Sequence, residues 1–126
     1  MRTKAPKGKT AEGHILNSEG AKDVECWGKP ANWVAMSGPI DGKPFTISFF
    51  DHPSNLRHPT RWHARDYGLF AANPFGGSTM DKTLAKGAGD YMLPAGKTLV
   101  FKYRIIVEQG DPDAARINAR YDAYTK

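Results

Sequence analysis

The chain has 126 residues, 40% of them hydrophobic and 25% charged, with Lys plus Arg exceeding Asp plus Glu by 18 to 13. That length suits one domain that folds without disulfide or metal staples. A mean hydropathy of −0.57 and the lack of any apolar run near the roughly 20 residues of a spanning helix exclude helical membrane insertion. The single cysteine, Cys26, excludes an internal disulfide and any CxxC motif, and the net charge of +5 favours anionic partners without naming one.

Residues 1–11 read as a basic flexible start, since Arg2, Lys4, Lys7 and Lys9 meet no acid there. No apolar segment follows them, so the chain carries no signal peptide in this reading. Residues 12–126 read as one β domain. Short strands are predicted at 23–27 and 32–36, separated by the breakers Gly28 and Pro30. The Asp41-Gly42 step within the turn-rich stretch 37–44 predicts a β-hairpin, whose second strand covers 45–51. Phe45, Ile47 and Phe49 alternate with Thr46, Ser48 and Phe50 there, and the first set is expected to face the core.

Period-two alternation also runs through 61–71, with Arg61, His63, Arg65 and Tyr67 on one face and Trp62, Ala64 and Asp66 on the other. This predicts a strand with Trp62 in the core. Residues 78–89 read as a surface loop with one helical turn at 81–85. Strands are expected at 91–93 and 98–108 around the turn Pro94-Ala95-Gly96, with Leu99, Phe101, Tyr103, Ile105 and Val107 forming the buried stripe. Asp111 as N-cap and Pro112 at the first helical position predict a helix over 112–124 that packs through Ile117, Tyr121 and Tyr124. The fold class is therefore mainly β, an antiparallel β-sandwich with a short C-terminal helix.

Chemistry is concentrated in 51–73, which holds three of the four histidines. On a strand, Arg61, His63, Arg65 and Tyr67 form a ladder of donors about 7 Å apart, suited to a hydroxyl-rich or anionic ligand. Arginine offers a planar fork for oxyanions, and flanking cations disfavour the charged imidazole, leaving His63 as a general acid or base. Glu25 or Asp51 is its candidate carboxylate partner. Trp27 and Trp33 are candidate platforms for stacking on a sugar ring, and Asn73 is a further candidate substrate-binding residue. His52, His58 and His63, with Asp51, supply alternative ligands for a copper, iron or zinc ion, although their spacing fits no standard motif. Gly76-Gly77-Ser78 lacks the lysine of a phosphate loop, and no nucleic-acid-binding motif occurs.

Several long strings carry a family resemblance: Glu12-Gly13-His14-Ile15-Leu16-Asn17-Ser18-Glu19-Gly20, Asp23-Val24-Glu25-Cys26-Trp27-Gly28, Asn32-Trp33-Val34, and the stretch from Asp51 to Gly76. Over nearly all of residues 12–110 the chain resembles the C-terminal part of a bacterial family commonly labelled methane oxygenase PmoA. The resemblance implies a longer parent protein whose N-terminal part packs on this one, and periplasmic or secreted relatives. More weakly, the Arg/His-rich strand looks like the supersandwiches of mutarotase-like and polysaccharide-lyase proteins, where histidines and a carboxylate act on sugars. The leading expectation is carbohydrate binding or processing in a groove built from 51–73, without a cofactor. The alternatives are a metal-dependent oxygenase, as the family label says, and a non-catalytic structural or interaction β-sandwich.

Overall fold

A computed structural model describes residues 12–126, and the predicted basic start at 1–11 lies outside them. The hairpin read from Asp41-Gly42 is the spine of the fold. Strands β2 (Trp33–Ile40) and β3 (Lys43–Asp51) pair antiparallel from Trp33↔Phe50 to Ile40↔Lys43. Asp41 and Gly42 have φ of 50° and 76°, both left-handed as a two-residue hairpin turn with matching twist requires. The strands thus run up to the turn, and 37–44 is mostly sheet where a loop was predicted.

β1 (His14–Asn17) adds to β2, and β6 (Tyr103–Gln109) adds to β3, giving an antiparallel sheet of order β1-β2-β3-β6. β4 (Arg61–Ala64) and β5 (Phe70–Asn73) form a separate hairpin. Short α1 (Gly77–Met80) follows it, and α2 (Ala114–Thr125) ends the chain. The fold is mainly antiparallel β with a short C-terminal helix, as the periodicity predicts. It has three layers, with α2 on one face of the large sheet and the β4–β5 hairpin on the other.

Each of the two interfaces between layers has its own core. On the helix side Trp33, Ala35 and Phe50 pack with Ile117 and Tyr121; on the hairpin side Ile15, Val34 and Met36 pack beneath Trp62 and Ala64. This reverses the expected facing of β3. Thr46, Ser48 and Phe50 are fully buried while Phe45, Ile47 and Phe49 are only partly so. The reason is α2, whose approach is made possible by small side chains and by the Thr46 hydroxyl donating to Gly110 O at 2.8 Å.

Two predicted strands do not form. Residues Asp23–Cys26 make a 3-10 helix, because Asp23 takes a left-handed φ of 53° and its carboxylate accepts the Ile15 amide at 3.0 Å. Asp and Asn tolerate that conformation better than other side chains. Residues 91–102 hold no strand either. The β3 ladder ends at Asp51↔Tyr103; before it, Lys102 is held by the His52 amide and the Asn55 side chain and not by a continuing strand. Likewise 61–71 is not one strand, since the Arg65 amide bonds Leu69 O and the chain reverses. The helical turn expected at 81–85 forms instead at α1.

Helix α2 starts later than predicted. Asp113, not Asp111, is its N-cap and accepts the Arg116 amide at 3.1 Å. Ile117, Tyr121 and Tyr124 face the sheet as expected. The Tyr121 hydroxyl donates to the backbone oxygen of Asp51 at 2.9 Å. Burial first, then the neighbouring Asp51 charge, push Tyr121 up to about 12. A raised folded-state pKa means the native state keeps a proton that the unfolded chain sheds from about pH 10. Stability from Tyr121 is therefore whole below pH 10 and falls as pH rises toward 12. Denaturant titrations of the wild type should show this fall, and Tyr121→Phe should make it shallower without abolishing it, because burial also pushes the Cys26 thiol up to about 12; equal slopes for both would contradict the assignment.

Candidate functional site

The β4–β5 hairpin divides its residues by alternation. Its register sets Arg61↔Asn73, Trp62↔Ala72, His63↔Ala71 and Ala64↔Phe70. Trp62 and Ala64 point into the core, as predicted for Trp62, and Arg61, His63 and Asn73 share the outer face. Arg65 and Tyr67 lie in the connecting turn and not on the strand. Tyr67 is 62% exposed there.

Arg65 nevertheless joins the outer face through space. Its guanidinium lies 4.4 Å from the Trp27 ring centroid, a cation–π contact of about 0.5–1 kcal/mol at such an exposed position. Trp27 follows the 3-10 helix, and its Nε1 is buried without a hydrogen-bond partner among the described residues. Gly28 allows the close approach that follows: its φ is +71°, and a Cβ there would sit 3.2 Å from Met80 Cβ. Arg61 anchors both segments, donating to Gly28 O at 2.9 Å and pairing with Asp81 Oδ2 at 3.3 Å. The hydroxyl and amide of Thr83, and then Arg61, hold the Asp81 carboxyl below its ordinary range.

These residues frame a cavity of about 590 Å³ lined by Glu25, Trp27, Lys29, Arg61, Asp81 and Lys82, among others. A second, of about 330 Å³, lies on the other side of Arg61 against Arg57, Pro59 and Asn73. Arg57 is spent on structure: it donates to Pro74 O at 3.0 Å, to Asp90 O at 2.8 Å and to Gly89 O, tying 74–90 beside the hairpin. Lys29, Asp81 and Lys82 were not singled out by sequence. Only the Asp81-x-Thr83 turn pattern marks any of them.

His63 is oriented by Asn73. The Asn73 carbonyl accepts the Phe75 amide at 2.9 Å, so its NH₂ faces His63 Nε2, also at 2.9 Å. Nε2 is then the acceptor and the ring proton sits on Nδ1. The imidazole can donate to a ligand through Nδ1, whereas action as a base through Nε2 requires breaking the Asn73 bond.

The remaining candidates are elsewhere. Asp51 has no exposed surface; its carboxylate accepts from Asn55 Nδ2 at 2.7 Å, His58 Nδ1 at 2.7 Å and the Thr60 amide at 2.9 Å. It is committed to His58 and not to His63. Asn55 also bonds both backbone groups of Lys102, so the polar loop 52–60 is largely a lock between β3 and the strand beside it. Trp33 is 1% exposed, donates to Asn118 Oδ1 at 2.8 Å and offers no open ring face for stacking. His52 bonds Ser54, and His52, His58 and His63 are not brought together; among the described residues no three His, Cys, Asp or Glu side chains cluster as metal ligands. No described helix is long and apolar enough to cross a membrane.

A family model described as a family of unknown function, DUF6807, matches residues 1–122. This replaces the expected membership in a PmoA-labelled family, since the matching description names no methane oxygenase. No curated protein and no solved structure matches the chain.

Proposed function

Because the chain belongs to the DUF6807 family, whose function is unknown, we propose on its geometry alone that it binds a carbohydrate on the outer face of the β4–β5 hairpin. The observation that carries this reading is the Trp27 ring set beside the forked donor Arg61 and the acceptors Glu25 and Asp81 in one open cavity. An aromatic face takes the apolar side of a sugar ring, while paired donors and acceptors take its hydroxyls. Arg65 and the Nδ1–H of His63 extend the donor set. Binding is favoured over acid–base processing, because Nε2 of His63 is held by Asn73 and Asp51 is sequestered.

A glycan array on the full chain, followed by calorimetric titration of its strongest binder, tests the reading. Trp27→Ala is expected to weaken binding at least roughly tenfold, about 1.4 kcal/mol or more of lost contact, and Glu25→Gln by about threefold to fivefold. His63→Ala should change affinity by less than about threefold. A silent array, or a folded Trp27→Ala protein that binds as the wild type does, would sink it.

A further inference from the structure

The large sheet has two edges of different character. β1 is four residues long and its end is covered by the bridge from Leu16 to Lys22. β6 is seven residues long, Tyr103–Gln109, and carries no Pro or Lys that would blunt it. Long unprotected edges of this kind template pairing with another strand.

The ladder shows which groups are open. Gly110 N donates to Pro44 O at 2.8 Å and His52 N to Lys102 O at 3.3 Å. With the register Phe45↔Gln109 through Asp51↔Tyr103, the even-numbered residues of β6 are the ones bonded to β3. The N–H and C=O groups of Tyr103, Ile105, Val107 and Gln109 therefore point outward, and none has a backbone partner among the described residues. The side chains of three of these belong to the stripe that alternation marks for burial. Ile105 is instead 59% and Val107 62% exposed.

We propose that this edge pairs with the same edge of a second copy of the chain, antiparallel about a two-fold axis at Ile106. In that register Ile105 lies opposite Val107 and Tyr103 opposite Gln109, so every outward group of β6 is used. Arg104 then lies opposite Glu108, a charge-complementary pair made twice by the symmetry. Centring on Ile105 or Val107 instead sets Arg104 or Glu108 against Ile106 and leaves an outward residue overhanging. Both charged side chains project on the α2 side, where Arg104 lies 4.5 Å over the Tyr124 ring and Glu108 is bonded by Arg120 at 2.7 Å. The self-match of charge and of apolar stripe selects a copy of this chain as the occupant. The product is one continuous sheet with both β6 strands at its centre.

Sedimentation equilibrium of the full chain is expected to give twice its 13.9 kDa mass. Val107→Pro removes an outward N–H without touching the β3 ladder, which edge strands tolerate, and should return a monomer with an unchanged circular dichroism spectrum. Arg104→Glu opposes two carboxylates twice over and should weaken association roughly tenfold. A wild-type chain that stays monomeric at its highest attainable concentration overturns the proposal and leaves the edge to a strand of a different polypeptide. A dimer that both folded variants leave intact overturns it as well, by placing the interface elsewhere.

Discussion

Asp51→Ala is expected to destabilise the protein by about 3–5 kcal/mol, the range for removing one partner of a buried charged network. Three donors, from Asn55, His58 and Thr60, converge on this carboxylate inside the protein. Alanine leaves His58 Nδ1 and the Thr60 amide without this acceptor and Asn55 with only Lys102 O, and stranded buried donors carry the full desolvation cost. Asp51→Asn retains the shape but turns an NH₂ toward one of those donors, so it should also be destabilising, though less. Typical domains have only about 5–15 kcal/mol in total, so urea midpoints should fall far for Asp51→Ala. A loss under about 1 kcal/mol would show that the 52–60 loop is held by something other than this carboxylate.

Trp62→Ala is the second large effect, about 3–5 kcal/mol by the usual cost of truncating a buried Trp. Trp62 has no exposed surface, donates to Ala31 O at 2.8 Å, and meets the Phe49 ring edge-on at 5.1 Å. It is the main apolar tie between the hairpin and the large sheet. Its loss should therefore lower stability and also release the outer face that carries Arg61 and His63. Trp62→Phe keeps most of the ring and loses the hydrogen bond, with an expected cost of about 1–2 kcal/mol. Equal losses for the two variants would mean that packing against Phe49 and Phe70 contributes little, contrary to the geometry.

The outer face of the hairpin was partly legible in advance. Arg61 and His63 could be set against Trp62 because alternation is a property of adjacent residues in an extended chain. Arg65 departs from that alternation: it lies in the turn after β4, and its guanidinium stacks on Trp27. Asp81 and Lys82 were missed because they arrive from a loop whose course is set by Arg57 and by close backbone contacts at Gly77 and Gly89. The crowding of polar residues in 51–60 was legible as unusual, but not its purpose. Asp51 is sealed by Tyr121, seventy positions later, and no local pattern encodes that closure.

By itself the sequence determined what depends on neighbours along the chain: the Asp41-Gly42 hairpin, the alternation of β4 and of β6 but not which face it buries, and the sheet-facing side of α2. Turn chemistry and side-chain period act over a few residues, so they can be read without knowing what packs where. Only the tertiary structure decided which face of each strand is covered. Helix α2 took the Thr46, Ser48 and Phe50 side of β3, the hairpin took part of the other side, and Ile105 and Val107 were left in the open. Alternation specifies that two faces differ, but burial is a contest between distant segments for the same surface, and its outcome is settled only when the layers meet.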